Sequence, residues 1–101
     1  MITTDYTRDF QIALLVNIAN DDELIKVASQ YLQVNDFDVT ACQFIYEALI
    51  SYYETLSKRP PVSSLITEVE GRITQPQKSK VQLLPEEYEA LSVVLLSLIH
   101  I

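Results

Sequence analysis

Glycine is almost absent from this chain, with one residue, Gly71, among 101. Loops that cradle phosphate groups contain several glycines, so the sequence excludes both a P-loop and a dinucleotide-binding fingerprint. Tight turns between strands also draw on glycine, and its scarcity argues against an all-β fold. We therefore expect that the chain neither binds nor hydrolyses ATP.

Cysteine and histidine are as rare, with one residue of each, Cys42 and His100. A single thiol excludes an internal disulfide, and two ligands are too few for a conventional zinc site. Cys42 lies between apolar neighbours in a helical pattern, which favours a buried, inert thiol over a catalytic one. No serine lies in a recognisable nucleophile elbow either. We therefore expect no catalytic residue, no metal and no cofactor.

Basic residues are half as numerous as acidic ones, 7 against 14, which gives a net charge of −7. Binding to nucleic acid through phosphate contacts needs a basic surface, so this chain is a poor candidate for it. Tyr46, Tyr52 and Tyr53 could stack on bases, but Glu47 and Glu54 accompany them. We expect these tyrosines in the core or in an interface.

No segment of the sequence is long and apolar enough for a membrane span. The longest apolar stretch, Leu91–Ile99, is about half of what a span requires. The N-terminus lacks the basic region and apolar run of a signal peptide. A chain of 101 residues, 49% of them hydrophobic, can bury one core. We expect one soluble, intracellular protein domain.

Apolar residues follow helical spacing throughout and predict an all-α bundle of about five helices. The predicted helices run from Asp5 or Thr7 to about Ile18, from the Asn20–Asp22 turn to Leu32, from Asp38 or Thr40 to about Ser57, from Ser63 or Ser64 to a C-cap at Gly71, and from Pro85 onwards. The chain then divides into a bundle over residues 1–73, a flexible loop over 74–82 and a C-terminal helix over 83–101. The predicted core positions are Phe10, Leu14, Phe37, Ile45, Leu49 and Tyr52.

Paired carboxylates occur at three places, Asp21–Glu23, Asp36 with Asp38, and Glu86–Glu89. Such pairs could serve as metal ligands or as a general acid and base. All three fall at predicted helix starts, where acidic side chains cap amides and favour the helix dipole. We interpret them as structural.

The last helix carries more apolar residues than one buried face needs. Leu91, Leu95 and Leu98 form the stripe that we expect against the bundle. A second apolar face of this kind marks a site of partner binding or self-association. The residues predicted for this self-association surface are Val94, Leu96 and Ile101.

Four segments follow one another in a distinctive order: Phe10–Leu24, Val34–Phe37, Ile45–Leu49 and Pro61–Ser63. The first is an apolar helix that ends in an acidic turn, and the second is a junction with a large aromatic residue. The third reads Ile-Tyr-Glu-Ala-Leu within a long helix, and the fourth is a Pro-Val-Ser turn that opens a short helix. This order resembles the N-terminal domain of DnaB-type replicative DNA helicases, in a divergent, phage-like form.

The resemblance implies a non-catalytic collar that steadies a helicase ring and docks a primase or a helicase loader. It also implies a bacterial cytoplasm or a phage-infected host. In that family subunits pair through a helical hairpin, of which Pro85–Ile101 would be the first arm. The ATPase motor of such helicases lies in a separate domain. Two alternatives stay open: the helicase-binding domain of a primase, and a free-standing acidic helical protein that mimics DNA or blocks a host factor.

Overall fold

The computed structural model describes residues 4–99, with side chains from residue 8. This part of the chain contains five α-helices and no β-strand. The helices are α1 (Thr4–Ala19), α2 (Asp22–Tyr31), α3 (Thr40–Leu56), α4 (Val62–Thr74) and α5 (Tyr88–Ile99). Short 3₁₀-helices lie in the connections at Val34–Asp36, Pro76–Lys78 and Pro85–Glu87. The prediction of an all-α bundle with about five helices is confirmed.

α3 is the central helix, because it contacts each of the other four. Its Cys42, Ile45 and Leu49 side chains are completely buried. α1 and α5 also contact one another, and α5 contacts α4 as well. The C-terminal segment predicted as a separate part is therefore packed into the same bundle as residues 1–73.

The sequence next to a helix start predicts the cap of α2 correctly but not the start of α1. Asp21 caps α2, since its carboxylate accepts hydrogen bonds from the amides of Glu23 (2.9 Å) and Leu24 (3.0 Å). The acidic turn is therefore structural here, as its position indicates. α1 already includes Thr4, so the caps predicted at Asp5 or Thr7 lie inside that helix.

α3 begins without a cap from its own side chains, although Asp38 or Thr40 was the predicted cap. Gln11, which is buried in α1, supplies the acceptor instead. Its Oε1 atom accepts from the amides of Asp38 (2.8 Å) and Val39 (2.9 Å), which lead into α3. A side chain from another helix therefore fixes where α3 starts.

The predicted C-cap at Gly71 is wrong, because α4 continues to Thr74 and Gly71 lies within it. The residues after Gly71 keep the helix packed on the bundle, with Arg72 buried and Ile73 half-buried. A left-handed backbone conformation does occur at Ser57, which ends α3 with φ 57° and ψ 27°. Ser57 therefore occupies a position that glycine would fill at lower cost.

We expect Ser57→Gly to raise the free energy of unfolding by about 0.5–1 kcal/mol. The left-handed region costs a non-glycine residue roughly 1–2 kcal/mol, and the greater freedom of glycine in the unfolded chain offsets part of the gain. Urea denaturation followed by circular dichroism measures the change. The control is Ser92→Gly in the right-handed interior of α5, which should destabilise instead. A loss of stability in both variants would contradict strain at Ser57.

The core contains Phe37, Ile45 and Leu49, as the sequence indicates. Leu14 is half-buried at the edge of the core, and Tyr52 is half-buried beside a surface groove. The prediction of Phe10 as a core residue is wrong, since 60% of its surface is exposed. α1 is apolar on most sides, and the side that meets the bundle carries Gln11, Leu15, Val16, Ile18 and Ala19.

Candidate functional site

The inner side of α5 packs against the bundle through Leu91, Val94 and Leu98. Val94 is 0% exposed, so its predicted place on the self-association surface is wrong. The buried stripe therefore has the spacing i, i+3, i+7. The predicted stripe had the spacing i, i+4, i+7 and included Leu95, which is half-buried. Both spacings follow a helix equally well, and an almost wholly apolar helix does not distinguish them.

The outer side of α5 is exposed and apolar, and it includes the predicted residue Leu96. Four side chains there are 40–53% exposed, and we call them the α5 face: Tyr88, Val93, Leu96 and Ile99. The third predicted residue, Ile101, lies outside the described residues. The polar residues Glu89 and Ser92 could have identified this side from the sequence. They lie on the same side of the helix as Leu96, at i and i+3 with Leu96 at i+7, and polar side chains favour water.

The α5 face combines exposed apolar side chains with acidic neighbours. The helix has 12 residues and is therefore about 18 Å long. Its one charged side chain is that of Glu89 in the first turn, and Glu86 and Glu87 lie just before the helix. Other exposed large apolar residues are Phe10 on α1, Val27 and Tyr31 one turn apart on α2, Leu56 at the end of α3 and Leu84 before α5. The α5 face can therefore cover an apolar partner surface. Its four side chains do not include a general acid and base.

A polar cluster that the sequence analysis missed fastens the connection between α4 and α5. Glu47 of α3 accepts through Oε1 from Arg72 Nη1 (2.9 Å) and from the Ser79 hydroxyl. Its Oε2 accepts from the backbone amide of Lys80 at 3.1 Å. Arg72 also donates to the carbonyl oxygen of Lys78 (3.2 Å). Segment 75–84, most of which was predicted as a flexible loop, is therefore held against the bundle at one carboxylate.

Two ionisable side chains of α3, those of Cys42 and Tyr46, are buried in the core. Burial raises the pKa of the Cys42 thiol to about 12, partly opposed by the positive charge of Arg8. Cys42 is therefore a protonated thiol at neutral pH and a poor nucleophile. Burial also raises the pKa of Tyr46 to about 12, with smaller contributions from Asp36 and Glu54.

Tyr46 joins α3 to the end of α2. Its hydroxyl lies 3.0 Å from the carbonyl oxygen of Ala28 and 2.7 Å from that of Leu32, to which it can donate. Its ring packs on Phe37, with the ring centroids 5.1 Å apart and the planes inclined at 51°. These contacts give Tyr46 a packing role in the core.

Two features are absent from the residues that the structure describes. Within residues 4–99, no group of three or more His, Cys, Asp or Glu residues could hold a metal ion. Over the same range, no helix combines the length and the apolar character needed to cross a membrane. Comparison with protein-family models, with curated proteins and with solved structures finds no match to this chain.

Proposed function

We propose that this chain is a non-catalytic interaction domain that associates with a second copy of itself through the α5 face. The observation that carries the proposal is the exposure of four large apolar side chains along one side of a short helix. Covering a large apolar side chain fully contributes about 1.5–3 kcal/mol. Exposed large apolar side chains gathered on one side of a helix mark a site of association.

A second copy fits the α5 face best in an antiparallel pair with two-fold symmetry. Closed symmetry buries the same surface on both copies and leaves no apolar face open. The acidic residues Glu86 and Glu89 lie at the N-terminal end of the helix. In a parallel pair these carboxylates would lie next to the same carboxylates of the second copy, and like charges repel. An antiparallel pair keeps them at opposite ends.

The particular role that we propose is the N-terminal assembly and docking domain of a DnaB-like replicative helicase, with a primase or a helicase loader as the further partner. The support is the order of the segments around Phe37, Tyr46 and Pro61, followed by a final helix with an uncovered outer face. In this role a second hairpin arm or a neighbouring subunit covers α5. The acidic charge favours contacts with proteins over nucleic acid.

The helicase role and its alternatives differ in gene structure. The helicase role requires a RecA-like motor with a Gly-Lys-Ser/Thr phosphate loop downstream in the same reading frame. Sequencing of the complete reading frame tests this directly. A stop codon directly after Ile101 would contradict the helicase role and would favour the free-standing acidic module, to which the net charge of −7 points.

We expect Leu96→Lys to shift the protein from dimer to folded monomer. Leu96 is 53% exposed at the centre of the α5 face, so a lysine there adds a charge to the interface without entering the core. Sedimentation velocity across a concentration series measures the association state, and circular dichroism checks the fold. Val94→Lys is unsuitable for this purpose, because it would place the charge among buried residues.

The matched control is Thr67→Lys on the exposed side of α4, which changes the net charge equally. It should leave the dimer intact. A wild-type chain that remains monomeric at millimolar concentration would contradict self-association. If Leu96→Lys and Thr67→Lys dissociate the dimer equally, the change in net charge is the cause. That result would also contradict association through the α5 face.

A further inference from the structure

Segment 75–84 makes up most of the connection from α4 to α5, which runs over residues 75–87, and it has few apolar contacts of its own. Val81 and Leu83 are half-buried against the core, whereas the other apolar side chain, Leu84, is exposed. Ser79 is the one residue of this segment that is buried. The attachment of the segment therefore depends largely on the polar contacts around Ser79.

Those contacts converge on Glu47, and the ion pair among them is mostly buried. The side chains of Arg72 and Glu47 are 9% and 14% exposed. Arg72 also contacts Glu68 one turn earlier in α4, with 3.3 Å between Nε and Oε1. A buried ion pair contributes little net stability, because desolvation offsets the attraction, but its geometry can fix one arrangement of the chain. Loss of Glu47 removes the acceptor of both Ser79 and the Lys80 amide, and loss of the Ser79 hydroxyl removes a donor to Glu47 and the acceptor of the Val81 amide.

The inner side of α5 contacts the bundle through apolar side chains. Three of its side chains are buried, Leu91, Val94 and Leu98. Once the contacts to Glu47 break, nothing polar described in segment 75–84 ties it to α3, and the helix that follows has only this apolar stripe. Proteins open in cooperative units of this kind, with free energies below that of global unfolding.

We propose that Glu47, Arg72 and Ser79 form a latch that makes segment 75–84 and α5 one unit, which leaves the bundle and returns to it as a whole. Opening of the latch uncovers the inner side of α5 and the matching surfaces of α1 and α3. This inference depends on the fold and is independent of the proposed function.

Native-state hydrogen exchange on the full wild-type chain, in a series of low urea concentrations, tests the coupling. We expect the amides of Lys80 and of residues 91–99 to share one opening reaction with the same urea dependence. Amides of residues 44–52 in α3 should require a larger, global opening. Exchange of α5 together with α3 as one global unit would overturn the proposal. Exchange of Lys80 without α5 would overturn it as well.

Variants test whether Glu47 and Ser79 hold this unit. Glu47→Gln and Ser79→Ala should each speed exchange of residues 91–99 by roughly tenfold or more, which corresponds to about 1.4 kcal/mol. Amides of α2 should keep their wild-type rates. The control is Glu54→Gln, which removes an exposed carboxylate on the same helix.

Each outcome of the variant experiment decides the proposal. Wild-type rates in α5 for Ser79→Ala would overturn it, as would equal acceleration in Glu54→Gln. Equal acceleration of α2 would show global destabilisation and would also overturn it. If Glu47→Gln does not fold, Ser79→Ala, which removes one hydroxyl, still decides between these results.

Discussion

Phe37→Ala should lower the free energy of unfolding by about 3–5 kcal/mol, the usual cost of removing a buried phenylalanine ring. Phe37 is 2% exposed, and its ring packs on that of Tyr46. Alanine would leave a cavity where the connection from α2 meets the start of α3. A loss of this size is a large share of the stability of a small domain. Urea denaturation followed by circular dichroism measures it.

The matched control is Phe10→Ala, which is the same chemical change at a residue with 60% of its surface exposed. Exposed positions away from special features change stability by about 0.5 kcal/mol or less. The two phenylalanines were equally plausible core residues in the sequence, so the comparison tests the tertiary placement itself. Equal losses in the two variants would contradict the packing of Phe37 and the exposure of Phe10.

Arg72→Ala should lower the free energy of unfolding by about 3–5 kcal/mol, because it leaves Glu47 as a buried charge without its cation. The Arg72 guanidinium also supplies a hydrogen bond to the carbonyl oxygen of Lys78. The variant therefore removes a charge partner and a donor together. Replacing Glu47 by alanine in the same chain should recover part of the loss, since neither charge is then left alone.

Arg59→Ala is the control for the arginine substitution. Arg59 pairs with Asp22 at 3.1 Å, but this pair is exposed to solvent. Exposed ion pairs contribute about 0–1 kcal/mol, and salt screens them. A cost for Arg72→Ala as small as that of Arg59→Ala would show that the Glu47 carboxylate reaches water when its partner is removed. That result would contradict the buried environment of the pair.

The placement of the α5 face connects the fold to the proposed association. α5 buries one side against α1, α3 and α4, and its other side carries four exposed apolar residues beside Glu89 and Ser92. Burial in the monomer therefore uses only half of the apolar surface of this helix. Leu96 was predicted on the free side and lies there, whereas Val93 and Ile99 were not predicted. The polar residues Glu89 and Ser92 would have indicated the same side.

The sequence by itself determined the class of fold and most helix boundaries, because these depend on short-range chemistry. The 3.6-residue period of apolar positions needs only neighbouring residues to be recognised. The capping of α2 by Asp21 is equally local, as is the entry into α5 through Pro85. The strongly patterned α3 likewise placed Ile45 and Leu49 in the core.

Only the tertiary structure decided which side of α1 is buried, and whether Val94 or Leu95 completes the buried stripe of α5, since both helices are apolar on most sides. Phe10 therefore lies outside and Val94 inside, against the predictions. The tertiary structure also brings together polar groups that are far apart in the chain. Gln11 reaches amides 27 and 28 residues away, and Glu47 meets Arg72 and Ser79 at separations of 25 and 32 residues. No local pattern encodes such pairs, because their proximity exists only once the helices have packed.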